Sequence, residues 1–413
     1  MHKKIHSTYR MFILFCLIFI TLAFVIDTPG VIFTGFTKII FESNILITDY
    51  IKLAGIGAAF INMSLVVLAS ISILIFVGIK PNGSTVAVLF TMAGFSLFGK
   101  NIVNIWPIIF GIWLYSRYQK EKFMSYVLIA LFGTTLSPTV NQMALLGNLP
   151  LVLNVTVGII ISTFIGFILP PMAAYCLRLH EGYNLYNIGF AAGLLATLLM
   201  SLLRAFGINF ESRLLWSTGN NLCFSIILIC LFILIIIFGY IENDKSFKNL
   251  FKLYKQPGRL VSDYYLVFGR GLTMINMGIL GIFSTAFVLI IGGDLNGPTV
   301  GGILTIVGFG AFGKHLRNVF PVMIGATLAS LLNIWQIDSP GMVLGILFSS
   351  TLAPISGQFG WAYGALAGFL HICLMMNLGY LHGGLNLYNN GFAGGIVCII
   401  LIPIITAFRR END

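Results

Sequence analysis

Long apolar stretches separated by short polar segments dominate the chain. The runs at 11–27, 150–177 and 222–241 are long enough, or nearly so, to cross a bilayer core of roughly 30 Å as helices rising about 1.5 Å per residue. Continuous runs argue against a transmembrane β-barrel, whose strands alternate apolar and polar positions. The pattern predicts an all-α polytopic membrane protein.

The pattern occurs twice along the chain. Residues 46–111 match residues 260–325 without a gap, and 23 of the 66 aligned positions are identical. Two further blocks extend the match: 131–143 with 347–359, and 180–193 with 382–395. The first copy is 14 residues longer, and we expect these residues in the loop around Leu145–Pro150. A duplicated module with polar residues inside apolar segments is typical of transporters and channels.

Loops rich in lysine and arginine in one copy are poor in them in the other. Loop 117–122 is basic, whereas its equivalent 336–340 carries Asp338 and no base; loop 242–263 is basic, whereas 28–49 is not. The N-terminus and the C-terminus are also basic. Because positive charge collects in short cytoplasmic loops, equivalent loops must face opposite sides. The sequence therefore predicts two inverted-topology repeats, with both termini cytoplasmic.

Segments 84–99 and 101–116 are short for full crossings, since 15 residues of helix reach only about 22 Å. For loop 117–122 to be cytoplasmic, the two segments must enter and leave the membrane on the same side. We expect re-entrant half-helices with a tip at residues 99–101, an inverted twin at 313–315, and about 10 full transmembrane crossings in all. Two such hairpins would bring their tips toward the middle of the membrane.

The chain divides into a first repeat module at 1–208, a connecting helix and basic loop at 209–264, and a second repeat module at 265–413. The segment at 222–241 precedes the second copy as 11–27 precedes the first. We therefore expect 11–27 to be a retained helix and not a cleaved signal peptide.

The hairpin tips carry the first candidate site. A lysine deep in a membrane protein is costly unless it is paired or hydrated, so it usually faces a cavity. Amides four residues later share its helical face. Alternatively, each lysine reaches an interface or neutralises a helix end. The candidates are Lys100, Asn101 and Asn104, with Lys314, His315 and Asn318.

Proline-interrupted segments form the second candidate. Proline frees a carbonyl in a membrane helix, and hydroxyl or amide groups nearby can line a cavity there. The alternative is a simple helix end at the proline. The residues are Thr135 and Gln142 before and after Pro138, with Thr351 and Gln358 around Pro354.

The motif H-x-G-x-N-L-Y-N-x-G-F is the third candidate. Asn187 and Asn389 could line a solute path or merely cap the following helices. His180 and His382 are proton-relay candidates, although a lone loop histidine more often only hydrogen-bonds. The glycines after the motif are spaced as in close helix packing.

Composition narrows the chemistry. The chain is 58% hydrophobic and 9% charged with a net charge of +10, and its basic residues are scattered among loops, which fits membrane orientation better than nucleic-acid binding. Its six cysteines lack metal-ligand or redox spacing. The sequence shows no nucleotide-binding motif, so we expect no cofactor, metal or catalysis. Scarce carboxylates within segments weaken cation coupling and favour an anionic or neutral polar solute.

The tandem copies of FGKNIVN and HEGYNLYNIGFAAG resemble a bacterial family of membrane proteins of unknown function. The chain is also distantly similar to urea transporters, which have inverted halves, re-entrant half-helices and a glycine-rich stretch with Tyr-Asn, as in LYNIGFAAG. That similarity implies that Asn187, Gly189, Asn389 and Gly391 lie near a central path. The first resemblance implies the inner membrane of a bacterium.

We therefore expect a multi-pass transporter or channel whose path lies at the midplane between the repeats. Its partners would be the lipid bilayer and a small anionic or neutral polar solute, with a homo-oligomer left open. A non-transporting subunit or scaffold is the first alternative, although it would leave the polar tips unnecessary. A membrane-embedded enzyme is the second, although the sequence lacks an acid cluster beside its histidines.

Overall fold

The computed structural model describes residues 5–146, 150–332 and 334–410, and its regular elements there are helical. The helices of the first repeat are α1 (Ser7–Ile26), α2 (Pro29–Phe41), α3 (Tyr50–Ala54), α4 (Ile56–Val77), α5 (Gly83–Phe95), α6 (Trp106–Tyr118), α7 (Val127–Gly133), α8 (Pro138–Ala144), α9 (Leu151–Leu179) and α10 (Asn187–Ala205). Those that follow are α11 (Asn221–Glu242), α12 (Leu250–Leu253), α13 (Tyr264–Ile290), α14 (Gly297–Phe309), α15 (Leu316–Leu328), α16 (Pro340–Ser349), α17 (Ala353–Phe359), α18 (Trp361–Leu378) and α19 (Asn389–Arg410).

Nine helical segments in the described residues are long and apolar enough to cross a membrane. One of them, Pro340–Phe359, combines α16 and α17. Its counterpart in the first repeat, 127–144, consists of α7 and α8, and in both repeats a 3-10 turn lies between the two helices. The all-α polytopic fold is confirmed, and the nine candidate spans in the described residues compare with about 10 predicted crossings.

The two repeats share their backbone irregularities. Gly55 (φ 91°) separates α3 from α4, and its equivalent Gly269 (φ 80°) kinks α13 at the same place. The extra residues of the first copy are only partly in the expected loop. Eight of them, 151–158, extend the start of α9, which has 29 residues against 18 in α18. Residues 147–149 of that loop lie outside the described part of the chain.

Helices α5 and α14 are equivalent and pack against each other in opposite directions. A methyl group on Gly94 would lie 2.6 Å from the carbonyl oxygen of Gly301, and one on Gly297 would lie 2.6 Å from that of Leu97. The start of α14 therefore lies beside the end of α5. Only glycine allows this backbone approach. Antiparallel packing of equivalent helices is the geometry of inverted repeats.

Hairpin α5–α6 begins and ends at one face of the molecule. A methyl group on Gly78, before α5, would lie 3.7 Å from the Met124 side chain, after α6. In the second repeat a methyl on Gly292 would lie 3.8 Å from Asp338 Cβ. Each hairpin thus returns to the level from which it started.

Several basic segments end at the face where hairpin α5–α6 begins and ends, and we call this the basic face. There the Tyr9 hydroxyl donates to the Ile79 carbonyl (3.0 Å), and Arg270 pairs with Glu242 (2.6 Å). Loop 117–122 lies there too, because Met124 is beside Gly78. Of the predicted basic N-terminus, Lys3 and Lys4 lie outside the described residues.

The C-terminal helix ends near loop 242–263. Arg409 lies over the Phe359 ring (5.4 Å), Phe359 stacks on Tyr183 (5.3 Å), and Arg259 of the loop lies over Tyr183 (4.4 Å). These contacts bring the end of α19 to the basic face as well.

The segment between the repeats covers the opposite face. Ile47 donates to the Arg213 carbonyl (2.9 Å) and accepts from Leu215 (3.0 Å), so 47–49 and 213–215 run together as a short extended pair. Arg213 also pairs with Glu42 at 3.2 Å.

Candidate functional site

The two hairpin tips are shaped by glycine. Gly99 (φ 96°) and Gly313 (φ 107°) have backbone angles that other residues rarely adopt, and each reverses the chain directly before a lysine. The tip backbones lie at opposite ends of the α5/α14 pair, about 20 Å apart, since each helix has 13 residues. The tips thus lie past each other instead of meeting, because the helices run side by side.

Lys100 and Lys314 are completely buried, and their side chains bind the other repeat. The Lys100 ammonium donates to the Tyr388 hydroxyl at 2.6 Å, and that of Lys314 to the Tyr186 hydroxyl at 2.5 Å. Each also lies over the ring of its tyrosine, at 4.7 and 4.5 Å from the centroid. Among the described residues, neither ammonium has an ion-pair partner.

Each of the two tyrosines packs against a glycine of the other repeat, at the centre between the repeats. Glycine makes this contact possible: a methyl on Gly189 would lie 2.8 Å from Tyr388 Cβ, and one on Gly391 would lie 2.9 Å from Tyr186 Cβ. Tyr388 packs on Phe95 of α5 (4.4 Å between centroids), and Tyr186 packs on Phe309 of α14 (5.0 Å). Each lysine thus reaches from its tip toward one shared pair of tyrosines.

A cavity of about 260 Å³ lies between the repeats beside these tyrosines. Its walls extend from Ser84 and Val261, near the basic face, to Tyr186 and Tyr388 at the centre. Phe95, Phe132, Phe309 and Phe348 are among its aromatic walls.

The amides of the tips hold the backbone. Asn101 and Asn104 accept from each other's backbone N–H at 2.8 and 2.9 Å, and Asn104 also donates to Asn141 at 3.0 Å. In the second repeat His315 and Asn318 form the same reciprocal pair, at 2.9 and 3.2 Å. The outer nitrogen of His315 contacts the Gln256 carbonyl. These four predicted residues therefore cap and brace the turns.

Thr135 and Thr351 join the repeats. The Thr135 hydroxyl donates to Asn386 (2.9 Å) and accepts from the Tyr388 backbone N–H (2.9 Å). Thr351 does the same with Asn184 (2.6 Å) and Tyr186 (3.0 Å). These bonds fix the backbone of each central tyrosine.

The motif residues Asn187 and Asn389 bind the predicted proton-relay histidines. His180 contacts Asn187 and His382 contacts Asn389, each at 2.9 Å. Asn187 also borders the cavity. The roles proposed for these four residues stay predictions.

Gln142 and Gln358 are not brought to a common environment. Gln142 is buried and Gln358 is exposed. Neither is among the residues that line the central cavity. Within the described residues, no group of three or more His, Cys, Asp or Glu side chains is placed to hold a metal ion.

Sequence reasoning did not select several residues that build the site. Asn62 donates to the Ser96 and Lys100 carbonyls at 2.8 and 2.9 Å, and Asn276 donates to those of Gly310 and Lys314 at the same distances. Tyr186, Tyr388, Asn184 and Asn386 belong to the third sequence motif but were not selected as site residues either. All are identical in the two copies, so repeat identity was the available signal.

Asp49 and Asp263 are further residues of this kind. Asp263 accepts from the Gly83 N–H at 2.9 Å and Asp49 from that of Gly297 at 3.2 Å, so each repeat caps the hairpin of the other. Burial raises the pKa of both carboxyls, while hydrogen bonds such as that from Ser217 to Asp49 lower it. Capping across the repeats ties the two hairpins into one unit.

Comparison with known proteins gives one family. The family profile described as "Protein of unknown function (DUF1576)" matches residues 28–205 and 242–407. The match in two segments confirms the predicted resemblance to a repeated family of unknown function. Comparison with curated proteins and with solved structures finds no match, and the similarity to urea transporters stays a prediction.

Proposed function

The chain belongs to that family of unknown function, and we propose from its site that it is a membrane carrier for a small anionic or neutral polar solute. The solute would bind in the cavity between the inverted repeats, beside Tyr186 and Tyr388. One observation carries the proposal: two fully buried lysine side chains bind the tyrosines that line this cavity, and in the described residues neither lysine is paired with a carboxylate.

Buried charge is the first support. A lysine ammonium inside a membrane protein is costly unless a partner or water compensates it. Phenol hydroxyls and ring faces supply part of that compensation, at 2.5–2.6 Å and 4.5–4.7 Å. An incoming negative charge would supply the rest, so anion binding is favoured at this place.

The hairpins are the second support. Helices α5 and α14 have 13 residues each and are about 20 Å long. Each forms a hairpin with the helix after it, and each hairpin begins and ends at the same face of the molecule. In a bilayer core of roughly 30 Å such hairpins would be re-entrant. Irregular backbone at membrane depth is tolerated where protein buries it, as at Gly99, which packs on Leu387, and Gly313, which packs on Leu185.

Unequal access supports a carrier over an open channel. The cavity approaches the basic face through Ser84, Leu260 and Val261. Leu46 and Ile47 occupy the positions equivalent to Leu260 and Val261 at the other face. There, Ile47 is paired with the inter-repeat segment at Arg213 and Leu215. In alternating access, each repeat would then adopt the arrangement that the other repeat has in this structure, so that the cavity closes at the basic face and opens at the opposite face.

We place the protein in the inner membrane of a bacterium with the basic face cytoplasmic. The helix ends that share this face carry most of the loop lysines and arginines, as expected of cytoplasmic loops. The bilayer and the solute are the partners this arrangement needs.

A non-transporting scaffold is the second candidate. It is favoured by the closed networks around Thr135, Thr351, Asn101 and Asn318, whose polar groups bind the protein itself. A scaffold would need those networks and would not need a cavity beside two unpaired ammonium groups.

Transport is tested by solute uptake into vesicles that contain the purified protein, with a panel of small anions and amides. We expect uptake of at least one solute, lost in Lys100→Met and Lys314→Met and kept in Lys122→Met, a change at an exposed residue. Folded protein that moves and binds no member of the panel, or uptake that both buried-lysine variants retain, would overturn the proposal.

A further inference from the structure

We propose that the solute is a small organic carboxylate with an apolar body. Its carboxylate would lie against the hydroxyls of Tyr186 and Tyr388, and its body against the phenylalanine and leucine walls of the cavity. The inference rests on the proposed function and narrows its substrate class, because it excludes both inorganic anions and neutral amides as the preferred solute.

The cavity walls are mostly apolar. The nonpolar side chains that line it come from both repeats and include Phe95, Ile129, Phe132, Phe309, Phe348 and Leu387. A volume of about 260 Å³ is below the usual range of pockets for drug-sized ligands, about 300–1,000 Å³. One aromatic ring or a short alkyl chain is the size of body that such a space favours.

The polar end of the cavity is a pair of phenols backed by positive charge. An ammonium group only donates, so each tyrosine oxygen accepts from its lysine and its own hydrogen can be donated to another acceptor. Tyr186 also has the Ser350 hydroxyl, a second partner of Lys314, within hydrogen-bonding reach. Hydrogen bonds with a charged partner are roughly twice as strong as neutral ones. A carboxylate has two oxygens for two phenol donors, and its charge compensates the lysines behind them.

The serine and threonine hydroxyls on the walls, and the side-chain oxygen of Asn390, are already bonded. Thr91 and Thr305 donate to carbonyls of their own helices, at 2.7 and 2.8 Å. Ser84 donates to Asn82 at 2.8 Å, and Asn390 contacts His371 at 2.9 Å. A polyol or an amide would lose water without gaining enough partners, and this is unfavourable in an apolar space.

An inorganic anion would leave the walls without contacts. Burial of apolar surface provides about 0.8 kcal/mol per methylene, or close to fourfold in affinity. A chloride ion, or a carboxylate as small as acetate, would therefore interact with the phenols and the lysines but would make few contacts with the aromatic walls. The cavity is expected to distinguish carboxylates by their bodies.

Ligand affinity of the purified full chain in detergent tests this directly. The probes are acetate, butyrate, hexanoate, benzoate, benzamide and chloride at constant ionic strength, with calorimetry or thermal stabilisation as readout. We expect affinity to rise about fourfold per methylene from acetate to hexanoate. Benzoate should bind at least tenfold more tightly than benzamide or chloride. Equal binding of benzoate and benzamide, or of acetate and hexanoate, overturns the inference.

Substitutions test which residues bind the carboxylate of the ligand and which contact its apolar body. Tyr186→Phe and Tyr388→Phe should each weaken benzoate binding about tenfold, because each removes one donor to a charged group. Ile129→Phe narrows the cavity and should weaken hexanoate more than acetate, whereas Ile160→Phe, at a side chain that is 62% exposed, should change neither. Unchanged benzoate affinity in both tyrosine variants contradicts the proposed binding mode, and a folded spectrum from each variant is required first.

Vesicle uptake separates this inference from the proposed function. Uptake of chloride or urea in preference to benzoate and hexanoate would overturn the carboxylate while transport stands. Protein that neither binds nor moves any probe would overturn both. Saturable uptake of benzoate that hexanoate inhibits and benzamide does not is the expected result.

Discussion

Lys100 and Lys314 are equivalent residues of the two repeats, yet their ammonium groups have different neighbours. Lys314 donates to two hydroxyls, of Tyr186 at 2.5 Å and Ser350 at 2.7 Å. Lys100 donates to one hydroxyl, of Tyr388 at 2.6 Å, and its second partner is the Met92 sulfur at 3.5 Å. A thioether is a weak acceptor, so Lys100 recovers less of its lost hydration than Lys314 does.

The difference comes from two neighbouring positions. Met92 is replaced by Ile306 in the second repeat, and Thr134 corresponds to Ser350. The Met92 sulfur lies 3.4 Å from the Thr134 hydroxyl, so it takes the place between that hydroxyl and the Lys100 ammonium. Two copies that share the lysine and the tyrosine thus differ in how well the charge is compensated. Lys100 has more to gain from an incoming anion.

Replacement of the lysines should have the largest effect. In Lys100→Met and Lys314→Met, benzoate uptake should fall more than tenfold because each change removes a charge behind the phenols. Lys100→Met should fall further, since its ammonium is the less compensated one. Initial uptake rates in vesicles, with Lys122→Met as control, measure this. Equal and small losses of uptake in the two variants would show that the different neighbours of Lys100 and Lys314 have no effect on transport.

The next largest difference should be between Asn62 and Asn276, the asparagines that bind the backbone of the two hairpin tips. Asn62 makes three hydrogen bonds, two to carbonyls and one from the Ile102 N–H at 3.2 Å, while Asn276 makes the two carbonyl bonds and its oxygen has no partner among the described residues. At about 1 kcal/mol per bond, Asn62→Ala should lower the free energy of unfolding by about 3 kcal/mol and Asn276→Ala by about 2 kcal/mol. Denaturant titration in detergent tests the order, and a larger loss in Asn276→Ala would reverse it.

A smaller effect is expected from the second hydroxyl at Lys314. Ser350→Ala removes a bond to a charged donor and should lower the free energy of unfolding by about 2 kcal/mol. Thr134→Val is the matched control in the first repeat, where the hydroxyl contacts sulfur and a carbonyl instead of the lysine. Thermal unfolding of the two variants measures the difference. A control that destabilises as much as Ser350→Ala would show that the hydroxyls matter for packing alone.

The smallest effect should come from making the copies alike. Met92→Ile introduces the second repeat's residue and opens the space between Lys100 and Thr134. This near-isosteric change should alter the free energy of unfolding by less than about 1.5 kcal/mol. It should also lower benzoate affinity, because Lys100 then has a better resting partner. Higher affinity in Met92→Ile would contradict the link between poor compensation and anion binding.

The helices and the inversion of the repeats could be predicted from local patterns. Apolar runs define α1, α9 and α11, and unequal loop charge predicts opposite directions, as the antiparallel α5 and α14 show. Short helices around Gly99 and Gly313 also followed from the sequence, since no full crossing fits 15 residues.

Contacts between the repeats could not be predicted in the same way. Lys100 binds a tyrosine 288 positions away, and no local pattern reports such a pair. The Asn-Leu-Tyr-Asn stretch is a loop by pattern, and nothing in that pattern indicates that Tyr186 and Tyr388, more than Asn187 and Asn389, bind the buried lysines. The lateral overlap of α5 and α14 was also missed, because it depends on glycine contacts such as Gly94 with Gly301.

The unfolding temperature of Lys100→Met without added solute tests the central claim most directly. If Lys100 is an uncompensated charge kept for an anion, an apolar side chain of similar length should leave the folded protein as stable as the wild type or more stable, and benzoate should no longer raise its unfolding temperature. If the Lys100–Tyr388 contact instead holds the repeats together, the variant would unfold several degrees lower, and that result would contradict the account.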